Sequence, residues 1–173
     1  MGYASIRTAL VSYFAPIPQM QTMYKEAPWI VNGGDFVLNP GTTAAAVGFV
    51  HIDHSVEERI TLPAYTGSKG VDYTVALVFL YKWLRPFNQP GGVSPDAYVA
   101  GLDELIDAIK AKIRADQNAG SPANIFQMGT GTGGSYAGEG PDISVTQDLP
   151  EDIDEGIFTL CRVEFHVYEL IQG

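Results

Sequence analysis

Residues Val71 to Pro86, VDYTVALVFLYKWLRP, decide the fold. At a period of two, Val71, Tyr73, Val75, Leu77, Phe79, Tyr81 and Trp83 fall on one side of an extended chain, and Ala76, Val78, Leu80 and Leu84 on the other. A half-buried strand alternates apolar with polar residues, and this one offers neither side to water. It is expected at the centre of a domain, its second face covered by more of the same chain or by another subunit.

Working outward, AAVGFVHIDHSVEERITL alternates with Gly48, Val50, Ile52, His54, Val56 and Ile60 on one side and His51, Asp53, Ser55, Glu57 and Arg59 on the other. The loop through Pro63, Gly67 and Gly70 suits a hairpin, so these two strands are expected to pair antiparallel. Beyond Pro86, Ser94 and Pro95 are an N-cap residue and a first-turn proline. Tyr98, Leu102, Leu105, Ile106, Ile109 and Ile113 then recur at helical spacing opposite Asp103, Glu104, Lys110 and Lys112, with a stop expected between Asp116 and Gly120. In the closing run EGIFTLCRVEFHVYELI, residues Ile157, Thr159, Cys161, Val163, Phe165 and Val167 share a face opposite Arg162, Glu164 and His166.

Shorter elements fill the rest. SIRTALVSYF places Ile6, Ala9, Leu10 and Tyr13 at helical spacing with Ser5 as N-cap, and Pro16 and Pro18 end the helix. The residues that follow read as a linker anchored by Trp29. Short strands are predicted near Asn124 to Met128 and Asp142 to Thr146, and an acidic turn precedes the last strand. The expected fold is α+β: a mainly antiparallel sheet with a short N-terminal helix and one long amphipathic helix packed on one face. At 173 residues the chain fits a single domain, 1–173, with flexible insertions near 31–44 and 129–141.

Composition narrows the function classes. Twenty acidic against ten basic residues give a net charge of −10, which argues against binding nucleic acid or an anionic membrane through a basic face. Hydrophobic residues make up 46% and charged residues 17%, a balance suited to burial against partners. The one cysteine, Cys161, is expected as a buried thiol. TALVSYFAPI fits an amphipathic helix better than a signal peptide, and MGYASI misses the myristoylation pattern at Ile6. A soluble, unlipidated protein is expected.

The candidate chemistry is sparse. In a regular strand His51 and Asp53 point one way and His54 the other, and Cys161 and His166 face opposite sides of the last strand. No four-ligand metal set emerges, and no cofactor is expected. GTGTGGSYAGEG, Gly129 to Gly140, neither follows the dinucleotide pattern nor carries a Gly-Lys-Ser/Thr ending; it reads as a loop whose Tyr136 is a candidate contact to a neighbouring subunit. The acidic run Asp148, Glu151, Asp152, Asp154 and Glu155 lacks the EF-hand glycine and terminal glutamate. Arg162 and Glu164 are cross-strand or interface pairing candidates.

The opening helix IRTALVSYF, the strand VGFVHIDHSVEERI, the aromatic strand YTVALVFLYKWLRP, the helix YVAGLDELIDAIKAKI and the closing strand FTLCRVEFHVYEL follow in an order that covers most of the chain. This layout resembles the tail terminator, or tail completion, proteins of long-tailed, non-contractile bacteriophages. The resemblance implies a structural virion protein and no enzyme: a homo-hexameric ring at the neck-proximal end of the tail, made in the host cytoplasm. Such a ring caps the last ring of tail tube protein, ends its polymerisation and meets the head connector or head-closure protein. Candidate subunit-interface residues are then Leu80, Tyr81, Tyr136, Arg162 and Glu164. Six copies would carry a formal charge of about −60 (six times −10), letting genomic DNA pass without specific binding. Glu57, Glu58, Asp148, Asp152 and Asp154 are the candidate lumen-facing acidic residues. The alternatives are a head-closure or head–tail adaptor ring, and a small metal-dependent enzyme built on His51, Asp53, His54 and the glycine-rich loop.

Overall fold

The structure is a computed structural model that describes residues 3–27, 36–59, 69–83, 94–115, 126–128, 143–153 and 156–171. Strand β3 (Lys69–Trp83) lies between β2 (Ala44–Arg59) and β7 (Gly156–Ile171). It pairs antiparallel with both along its whole length, from Arg59 and Ile171 opposite Lys69 to Ala44 and Ile157 opposite Trp83. Among the described residues β1 (Met20–Tyr24) joins the outer edge of β2 in parallel, while β4 (Phe126–Met128), β5 (Ser144–Gln147) and β6 (Glu151–Ile153) each pair antiparallel with β7. With the helices α1 (Tyr3–Phe14) and α2 (Pro95–Ala115), the fold is α+β around a mostly antiparallel sheet. Neither described helix is long and apolar enough to cross a membrane.

The odd-numbered side of β3 is closed by the chain's own core. Val71, Tyr73, Val75, Leu77, Phe79 and Tyr81 join one buried cluster with Ile6, Leu10, Tyr13 and Phe14 of α1 and with Tyr98, Leu102, Leu105, Ile106, Ile109 and Ile113 of α2. Each such side chain, fully buried, contributes roughly 1.5–3 kcal/mol. The Ser94 hydroxyl caps α2 by accepting the Ala97 N–H at 3.2 Å. Tyr98 ties the start of α2 to the sheet: its hydroxyl lies 2.6 Å from Thr159 Oγ1, and its ring 5.5 Å from that of Tyr81. Tyr13 joins the helices, donating to the Lys112 carbonyl at 2.6 Å beneath the Lys112 ammonium.

Four features depart from the sequence reading. α1 begins at Tyr3, so Ser5 lies inside it rather than at its cap. Five linker residues, MQTMY, form β1, held by the Ala46 N–H donating to the Gln19 carbonyl at 2.8 Å; the run is too short and mixed to announce a strand. Part of the expected acidic turn, Glu151–Ile153, is strand β6. The fourth is a β-bulge in β2. Ile52 pairs with Val75 and His54 with Thr74, so Asp53 is an extra residue and the alternation inverts beyond it. His54 and Val56 therefore change sides, and Ser55 comes to face Tyr73, where Tyr3 reaches its hydroxyl at 2.6 Å. Trp29, the 129–141 insertion and the helix stop expected between Asp116 and Gly120 lie outside the described residues, as do residues 31–35 of the 31–44 insertion.

Gly101 marks how closely α2 approaches β3. A Cβ there would stand 2.5 Å from the Tyr81 hydroxyl and 3.2 Å from the Trp83 ring. Gly101→Ala is expected to destabilise by about 1–3 kcal/mol, against the roughly 1 kcal/mol alanine ordinarily gains in a helix. Tyr81→Phe, which removes the clashing oxygen, should recover most of that loss in thermal melts; no recovery would show that the approach is looser.

Burial also pushes three acids of this core upward. The Tyr81 phenol rises to about 12, with Tyr98 and Glu104 adding to the effect. Tyr98 rises to about 12 despite its Thr159 hydrogen bond, and the Cys161 thiol to about 12, helped by Asp148. A group raised above its unfolded value stabilises fully below that value and loses its contribution as pH climbs toward the folded one. Stability should therefore fall from about pH 9 upward, and the ionisation of Tyr81 and Tyr98 should coincide with unfolding. Titration of all the tyrosines at the ordinary pH in a protein that stays folded would contradict this packing.

Candidate functional site

The even-numbered side of β3, called here the Ala76 face, is closed differently at its two ends. Near the end of β3, residues Phe36–Asn39 cross the sheet as a strap. Phe36 and Leu38 bury against Ala45, Val47 and Leu80, and Val37 between them is 75% exposed. Two polar side chains pin the strap. Lys82, 2% exposed, donates to the Phe36 carbonyl at 2.7 Å with its ammonium over the Phe158 ring. Gln21 of β1 donates to the Val37 carbonyl at 2.9 Å and accepts the Asn39 N–H at 2.8 Å.

Toward the other end the cover is charged. Arg162 on β7 is ion-paired with Asp53 on β2, and because β3 lies between those strands the link passes over Ala76 and Val78. Ala76, with its single methyl, is fully buried there and Val78 nearly so. Arg162 Nε also donates to Glu164 at 2.7 Å, and Glu164 accepts from Ser144 of β5 at 3.2 Å. His51 stands 3.2 Å from the same Asp53, and His166 the same distance from Asp72. The hydrogen bond to Asp53 raises the Arg162 guanidinium further, with Glu164 adding and partial burial opposing. The bulge at Asp53 is what lets its carboxylate reach across.

Between the two ends runs an apolar row. Val47, Leu80 and Leu160 are in register across β2, β3 and β7; Leu160 is 44% exposed and Leu80 half-buried. Leu149, just past the Asp148 N–H that donates to the Leu160 carbonyl, is 85% exposed.

The expected interface residues divide accordingly. Leu80, Arg162 and Glu164 share the Ala76 face. Tyr81 is on the opposite side, 1% exposed and enclosed by Trp83, Tyr98 and Gly101. Tyr136 lies outside the described residues. Among the acidic candidates, Glu57 and Asp148 are exposed, Glu58 and Asp152 are placed by backbone only, in β2 and β6, and Asp154 lies outside the described residues. Glu57 pairs with Val71 and Asp152 with Ile157, at opposite ends of the sheet. At the rise of an extended strand these ends are about 40 Å apart. No cluster of three or more potential metal ligands occurs among the described residues.

Gln21 and Lys82, which hold the strap, carried no signal in the sequence, since each is recognisable only through a partner at least sixteen residues away. No family model matches the chain, and no curated protein matches it.

The ion-pair bridge makes a direct test. Arg162→Ala is expected to cost about 1–2 kcal/mol, leaving Asp53 and Glu164 without their shared cation. Adding Asp53→Asn should cost little more, a coupling of about 1 kcal/mol in a double-mutant cycle read by denaturant titration. Simple additivity would mean that the bridge contributes nothing.

Proposed function

We propose that the chain is a structural virion protein of the tail terminator kind, assembling as a ring that caps the tail tube and joins it to the head connector. The observation that carries this reading is the difference between the faces of the sheet. One is filled by the chain's own core, whereas the other presents Leu160, exposed beside Leu80, between the strap and the charged bridge. In a ring of six, α1 and α2 would pack together on the first face, and a neighbouring subunit would cover the apolar row of the second.

The order of the long elements, α1, β2, β3, α2 and β7, also supports the reading, because it preserves the layout on which the resemblance rests. The separation of the acidic candidates sets a geometric condition. A lumen lined by both Glu57 and the residues around Asp152 needs strands that run along the ring axis, since only then do positions about 40 Å apart face one channel. DNA would pass such a wall repelled rather than bound.

Leu160→Lys tests the interface without touching the core. At an exposed strand position it should change stability by about 1 kcal/mol or less. It should nevertheless abolish incorporation into particles and leave tails of uncontrolled length in electron micrographs. Normal tails carrying the variant would remove this surface from assembly. Labelling of the wild-type chain on the head side of the connector would instead place it in an adaptor ring.

A further inference from the structure

The most exposed large apolar side chain among the described residues, Leu149, stands at the β7 side of the sheet. It follows Asp148, whose N–H donates to the Leu160 carbonyl at 3.0 Å, so it lies level with the row Thr22, Val47, Leu80 and Leu160. At the opposite side β1 ends in Tyr24, 44% exposed and in register with Phe49. Exposed Val37 stands beside it, its carbonyl held by Gln21 of β1. Tyr24 is two residues along β1 from Thr22, a rise of about 7 Å. Both sides of the sheet thus present apolar side chains at nearly one height.

Their charges differ in sign. Residues 143–153, at the β7 side, carry Asp148, Glu151 and Asp152 and no basic residue, a charge of −3. Arg162, opposite Thr146, is already shared between Asp53 and Glu164. The β1 side is built from residues 3–27 and 36–49, which carry Arg7 and Lys25 against Glu26, a charge of +1. Arg7 pairs with Glu26 at 3.1 Å, and Lys25 is exposed next to Tyr24. In a chain of net −10, a side with a positive balance is the one a neighbour's acidic turn can approach.

Contact between two different patches of one chain is heterologous, and it closes into a ring only where rotation about a single axis superposes them. A rotation about an axis parallel to the strands leaves height along that axis unchanged. It therefore brings the β7 side of one copy to the β1 side of the next with their apolar residues level. The same strand direction is the one that lets Glu57 and the residues around Asp152 face one channel.

We infer that the Leu149 turn of one copy docks on the Tyr24–Val37 side of a second copy of this chain. Leu149 and Leu160 meet Tyr24 and Val37, while Asp148 and Glu151 approach Lys25. The contact covers the apolar side chains left exposed at both sides of the sheet. The inference rests on the proposed ring and names the two patches that join its subunits.

The test is cross-linking of the full chain with a short bismaleimide, using the variants Tyr24→Cys and Leu149→Cys separately and mixed. Both positions are exposed, and the native Cys161 is buried, so the wild-type chain serves as the unreactive control. The mixture is expected to give a two-chain product containing one of each variant, and neither variant alone to give one. Leu149→Gln should also weaken association about tenfold in sedimentation velocity, whereas Val99→Gln, at an exposed position on α2, should leave it unchanged. Circular dichroism confirms that each variant is folded. Cross-linking of either variant alone as readily as the mixture would overturn the inference, as would Leu149→Gln associating like wild type. A six-chain species whose mixed variants do not cross-link would overturn it and leave the ring standing. Mixed cross-linking without a closed six-chain species would do the reverse, and a chain that never associates would overturn both.

Discussion

Everything in this fold follows from the position of β3. It is hydrogen-bonded on both edges for its full length and apolar on both faces, so neither edge nor face can be left to water. On the odd-numbered side the solution is an ordinary core of leucine, isoleucine and aromatic side chains. On the even-numbered side there is no second layer of described helices. A strap closes one end and an arginine–aspartate bridge spans the other, possible because the residue beneath it is Ala76.

That economy has energetic consequences. A partly exposed ion pair is a weaker cover than packed hydrocarbon, since the charges keep much of their interaction with water. The strap relies on two polar clamps, and the buried one, Lys82, holds the Phe36 carbonyl with its ammonium over the Phe158 ring. Between these devices Leu160 is 44% exposed, beside the half-buried Leu80. In the ring proposed above, a neighbouring copy would complete this face.

Periodicity alone was enough to read the long elements. The two-residue repeat of Val71 to Trp83, the closing alternation of Ile157 to Val167 and the stripe from Tyr98 to Ile113 each concern neighbours along one element, and each appears in the structure as expected. The features that shape the Ala76 face were not legible, because each depends on a partner distant in sequence. The bulge at Asp53 cannot be seen in a run that alternates smoothly by composition, yet it moves His54 across the sheet and brings Asp53 to Arg162. Gln21 falls in the expected linker, Lys82 gives no signal of its own, and Tyr81, expected at a subunit interface, is buried in the core. Placing Arg162 and Glu164 together needed only strand parity, and the sequence supplied that.

The central claim is that this face is completed by copies of the same chain. A native mass spectrum of the purified protein over a range of concentrations tests it most directly. The account predicts a closed species of six chains, about 112 kDa from six times 18.7 kDa, that the Leu160→Lys variant does not form. A wild-type protein that remains a single 18.7 kDa chain at every concentration and pH would contradict it.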